Sequence, residues 1–146
     1  MPVVGLNIKT INAWKNQEIT GPVKVNNTTN FTDVKEHKMD AIDKKGLSIT
    51  FSFKTEYNIE NSKKSVAEIE INGDVLFIDE GHEALLKSWK KDKRLPDEIN
   101  LQVINTILRK CVTRALDLSE ELSLPPPVAL PFAQKKQEET ENKYIG

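Results

Sequence analysis

Residues 95–132 read LPDEINLQVINTILRKCVTRALDLSEELSLPPPVALPF, a long helical pattern followed by a proline-rich apolar end. Pro96 suits a first helical turn, where its missing N–H is no loss, and Asp97 and Glu98 stand where the positive helix end favours acids. Leu101, Ile104, Leu108, Cys111, Ala115, Leu118 and Leu122 follow at alternating steps of three and four, one apolar stripe at helical spacing. Ile99, Val103, Ile107, Val112 and Leu116 lie on its flank. A helix covering one sheet needs a stripe of about 100°. This one is apolar around a wider arc, so it is expected to touch its own sheet and also a partner chain or another helix. Leu101, Ile104, Leu108, Cys111 and Ala115 are the residues expected at a contact between copies. The run from Leu124 to Phe132 holds four prolines and suits neither helix nor central strand. It is too apolar for a free linker and reads as an extended, polyproline-like strap on a surface. The polar remainder, 133–146, has three basic and three acidic residues and reads as a disordered tail. Residues 1–132 then form a single domain, with the strap at 124–132.

The chain before this stretch alternates. Val4, Leu6 and Ile8 oppose Gly5, Asn7 and Lys9, a first strand reaching toward Trp14. Val23, Val25, Asn27, Thr29, Phe31 and Asp33 share a face of the next segment, whose apolar signal fades into Asn and Thr, as at a sheet edge. The Asn-x-Thr triplets there are chance matches in a polar strand. Residues 34–45 are charged and weakly patterned, and Asp43-Lys44-Lys45-Gly46 reads as a turn. From Leu47 to Tyr57 the alternation is clean: Leu47, Ile49, Phe51, Phe53 and Tyr57 face one side, with Ser, Thr, Lys and Glu on the other. One buried and one wet face is the habit of antiparallel sheets. Ala67, Ile69 and Ile71 continue the pattern. Asn72-Gly73 is either a two-residue hairpin turn or a bulge within one bent strand running on through Ile78, and that choice decides the strand count. Asp79 is the expected N-cap of a short helix from Glu80 to Lys91, with Ala84, Leu85, Leu86 and Trp89 packing inward. The result is an α+β fold: an antiparallel sheet meander of about four strands backed by a short helix and a long C-terminal one.

Chemistry is sparse. Lone Cys111 lies on the apolar helix stripe and reads as a buried hydrophobe; with no second cysteine, no internal disulfide forms. His82 has acidic neighbours in sequence, but no second histidine at helical spacing and no cysteine pair completes a metal site. His37 sits in a solvated charge run. The six glycines are dispersed singly, so no phosphate-cradling loop is present, and no nucleophile elbow appears. These readings predict a non-catalytic protein that needs no metal or cofactor. The formal net charge of −1 gives no global field toward nucleic acid or anionic lipid. The N-terminus is too short and polar for a signal peptide and no apolar run approaches spanning length, so a cytoplasmic protein without membrane contact is expected. Lys87, Lys90, Lys91, Lys93 and Arg94 form a basic cluster at the end of the short helix. Cations there suit the helix dipole; contact with nucleic-acid phosphate is the sharper alternative. Phe31, Phe51, Phe53, Tyr57, Phe77, Trp89, Leu130 and Phe132 offer more apolar surface than one small helix covers. Either they form an ordinary core, or some of them line a groove for extended peptide.

The order of these parts resembles that of the SecB-type protein-export chaperones. The resemblance is carried by Gly73-Asp74-Val75-Leu76-Phe77-Ile78, by Pro96 at the mouth of the long helix, and by the leucine- and proline-rich end from Leu122 to Phe132. It implies a four-stranded antiparallel sheet backed by two helices. It also implies assembly as a dimer or a dimer of dimers, and ATP-independent holding of unfolded polypeptide. The expected client-binding residues are Phe51, Phe53, Tyr57 and Phe77, with Leu130 and Phe132 nearby. The family is acidic at the surface that meets its export motor, whereas this chain is near neutral. The alternative function is a translation- or ribosome-associated factor that meets RNA or protein through the basic cluster.

Overall fold

Alternating side chains build the sheet and a four-residue apolar repeat builds the long helix. The computed structural model describes residues 3–16, 19, 21–39, 44–60, 64–78, 81–131 and 133. In chain order they form β1 (Val3–Lys15), β2 (Val23–Met39), β3 (Lys44–Ile59), β4 (Ser65–Phe77), α1 (His82–Asp92) and α2 (Asp97–Glu121). The strands make one antiparallel sheet in the order β1-β4-β3-β2. Only β2, β3 and β4 form a meander. β1 lies beside β4 at the far edge, in the manner of a Greek key, so the chain crosses the sheet's width between β1 and β2.

The inner face carries Leu47, Ile49, Phe51, Phe53, Thr55 and Tyr57 of β3 and Ala67, Ile69, Ile71, Val75 and Phe77 of β4, all buried. The opposite face is polar and tied by cross-strand pairs. Lys9 meets Asp74 at 2.9 Å, Lys54 meets Glu68 at 3.6 Å, and the Trp14 indole N–H donates to Glu68 at 3.2 Å. Cross-strand pairs of this kind, with one partner reaching into water, set register and add about 1 kcal/mol each.

Asn72 and Gly73 lie within one continuous β4, so they form no hairpin turn. The irregularity is on β1, where the register slips between Ile8 and Thr10. Gly73 is required there because a Cβ would lie 2.1 Å from the Asn7 carbonyl oxygen. A second slip, between Val3 and Gly5, sets Val3 rather than Val4 opposite inward Phe77. The charged, weakly patterned stretch after Phe31 is strand as far as Met39. A bulge at Thr32 shifts the alternation by one residue, so Val34, and not Asp33, lies opposite Ile49 on the buried face. β3 begins at Lys44, so Lys44, Lys45 and Gly46 are strand rather than turn; Asp43 lies outside the described residues.

α1 starts at His82 with Gly81 at its N-cap position, and the expected cap Asp79 lies outside the described residues. The helix ends where Lys93 takes a left-handed conformation and its N–H donates to the Trp89 carbonyl. α2 buries Val103, Ile107, Cys111, Ala115 and Ser119, a strict four-residue repeat that takes residues from both expected stripes. Steps of four advance about 40° around the axis each time, so the buried line winds around the helix.

Candidate polypeptide-binding surface

α1, α2 and the segment after α2 all lie on the inner face, and they cover most of it. Phe51, Phe53, Tyr57 and Phe77 are each 1% exposed or less. They are the core between sheet and helices and line no open groove. Of the six residues expected to meet a client, Leu130 is exposed, at 45%, and Phe132 lies outside the described residues. The expected interface residues also separate. Cys111 and Ala115 are fully buried against this chain's own sheet, Ile104 and Leu108 are half-buried, and Leu101 is 59% exposed. Cys111 and Ala115 therefore cannot meet a second copy while the fold is intact.

The exposed apolar surface lies elsewhere. Among the described residues β1 is an edge strand with an unpaired side, and it carries exposed Val4, Ile11 and Trp14. An unpaired edge with apolar side chains is a template for another extended chain. Leu101 on α2, and Val128 and Leu130 after it, are the other large exposed apolar residues among those described. A concavity of about 340 Å³ opens between the α1–α2 junction and β2, lined by Phe31, Trp89, Arg94, Leu95 and Asn100 among others. Lys93 sits over the Trp89 ring at 5.6 Å. All five cations of the basic cluster are exposed.

Two titratable groups of the interior are shifted. Burial pushes the Tyr57 phenol up to about 12, with the nearby Ser119 hydroxyl acting the other way. Burial likewise pushes the Cys111 thiol up to about 11, against a small opposing effect of Lys110. A thiol held neutral and out of reach is no nucleophile. The His82 ring stands 3.6 Å from the Glu36 carboxylate, an α1-to-β2 contact.

The segment after α2 is held by hydrogen bonds that sequence reading missed. The Lys15 ammonium donates to the Leu122 carbonyl at 2.8 Å, the Tyr57 hydroxyl to that of Pro125 at 2.7 Å, and the Asn27 amide to that of Pro127 at 2.8 Å. These donors come from β1, β3 and β2, so the segment crosses the inner face from one sheet edge to the other. The available signal was Asn27 itself, a polar residue in phase with inward Val23 and Val25.

No family model matches this chain, and no curated protein matches it. Among solved structures it is similar to the SecB-like chaperone Rv1957 of Mycobacterium tuberculosis, solved in complex with a ChAD peptide from the Rv1956 HigA1 antitoxin. The TM-score is 0.56 at 13% identity, covering 92% of this chain and 91% of that one. The likeness shows the fold: a four-stranded antiparallel sheet carrying a short helix and a long one, SecB-like in its arrangement. The neighbour is a chaperone. No helix among the described residues is long and apolar enough to cross a membrane.

Proposed function

We propose that this protein is a non-catalytic, SecB-like chaperone that holds unfolded or extended polypeptide without ATP. The observation that carries the reading is the SecB-like fold, which extends over nearly the whole chain and is shared with a protein solved with a bound peptide. The unpaired, apolar edge of β1 supports it, since such an edge offers main-chain hydrogen bonds to any extended sequence. Clients would first meet that edge and exposed Leu130, since Phe51, Phe53 and Phe77 are buried. A homo-oligomer completes the proposal. Its contacts would use the flank of α2 at exposed Leu101 and half-buried Ile104 and Leu108.

The test is to dilute a slow-folding, chemically unfolded protein into nucleotide-free buffer with and without this chain and follow light scattering. Suppressed aggregation at near-stoichiometric ratio is expected. Unchanged aggregation for several unrelated clients would remove the reading.

A further inference from the structure

The wall beneath the proline-rich segment is built from donors. Tyr57 and Asn27 each give a hydrogen to a proline carbonyl, that of Pro125 and that of Pro127. Thr55, fully buried, donates to the Asn27 side-chain oxygen at 2.7 Å. The carbonyl of Pro127 can only accept, so it fixes the amide orientation, and the Thr55 hydroxyl, able to donate or accept, follows it. Residues 125–127 have no backbone N–H and offer only acceptors. A wall of donors is thus matched to a backbone of acceptors, and at buried Pro127 an ordinary residue would add an N–H that needs a partner. Leu124 and Pro127 are buried, whereas Val128 and Leu130 beyond them are exposed. The far end of the segment is therefore lightly held.

We propose that Asn27, Thr55 and Tyr57 form a receptor for the carbonyls of an extended, proline-containing polypeptide. Residues 123–131 fill it in cis, and a client segment of the same chemistry takes it in trans by displacing them from the Leu130 end. This rests on the reading of the protein as a polypeptide holder and gives it a selective site.

The probe is a fluorescent nine-residue peptide, SLPPPVALP, the chain's own residues 123–131. Binding is followed by anisotropy on full-length chains. In the wild type the tethered segment competes at high effective concentration, so binding is weak. Leu124→Ser with Pro127→Gly loosens the segment and leaves the receptor intact. That chain should bind the peptide at least about tenfold tighter. Adding Asn27→Ala or Tyr57→Phe to it should abolish the gain. Far-UV circular dichroism and protection of Cys111 from alkylation report that each variant is folded. No gain in the loosened chain overturns the proposal, as does a gain indifferent to Asn27 and Tyr57. A gain in dimer without peptide binding also overturns it, by assigning the segment to exchange between copies. Peptide that fails to bind a chain still able to suppress client aggregation defeats the receptor alone. Failure of aggregation suppression with intact peptide binding defeats the holding function alone.

Discussion

Gly73 has no room for a side chain, because the β1 backbone passes where it would be. Gly73→Ala should cost at least about 2 kcal/mol, read as a fall in urea midpoint, since backbone cannot yield as a flexible side chain does. A midpoint within experimental error of wild type would contradict the register described for β1. Tyr57 joins core and surface: its ring is buried and its hydroxyl holds Pro125. Tyr57→Phe should cost about 1 kcal/mol. Its pKa also has a signed consequence. The phenol rises from its ordinary 10.0 to about 12 on folding. Between those values the unfolded chain loses its proton and the native one keeps it, so this contribution to stability is full below pH 10 and is lost as pH rises toward 12. Denaturant midpoints across that window should fall less steeply in Tyr57→Phe than in wild type; identical slopes would place the phenol in water. Cys111, fully buried with its thiol pushed up to about 11, should resist alkylation at pH 8 until the chain unfolds. Rapid labelling of the native protein would mean that α2 does not lie on the sheet as described.

Among the elements, those with an unbroken period were legible. β3 from Leu47 and β4 as far as Ile71 keep a two-residue alternation, and α2 keeps apolar residues at every third or fourth place; the passage through Asn72-Gly73 was open in the sequence and is set by β1. β2 was legible only to Phe31. The bulge at Thr32 displaces the pattern by one residue, and an edge strand on a polar rim shows little apolar signal, so its charged half was weakly patterned. Bulges are decided by the neighbouring strand, and a single sequence does not show which residue will be left over. The aromatic groove failed for a different reason. The apolar surface was weighed against one helix, whereas two helices and the proline-rich segment share the covering. The buried line of α2 follows a strict four-residue step, and so Leu101 belongs to the open flank. Leu101→Glu should leave monomer stability within about 0.5 kcal/mol of wild type. It should also shift any oligomer toward monomer in sedimentation equilibrium. An unchanged oligomer would move the proposed contact away from this flank.

At the scale of the whole molecule the two faces of the sheet have different roles. The outer face is laced by polar and charged pairs across strands. The inner face is closed by α1, α2 and the segment from Ser123 onward. What the fold leaves open to another chain are the edges, chiefly β1. Under the proposed holding function, the protein should recognise extended, unfolded chain through backbone and apolar side chains, with little dependence on charge. The basic cluster at the end of α1 makes the opposite expectation for its alternative role, because phosphate contacts weaken steeply with salt. The deciding measurement is equilibrium binding of this protein to one client in two forms, permanently unfolded by reduction and alkylation, and native. It is made without nucleotide at low and at high salt. The account predicts binding to the unfolded form alone, with similar affinity at both salt concentrations. Failure to bind the unfolded form, equal binding to both forms, or binding that vanishes at high salt would contradict it.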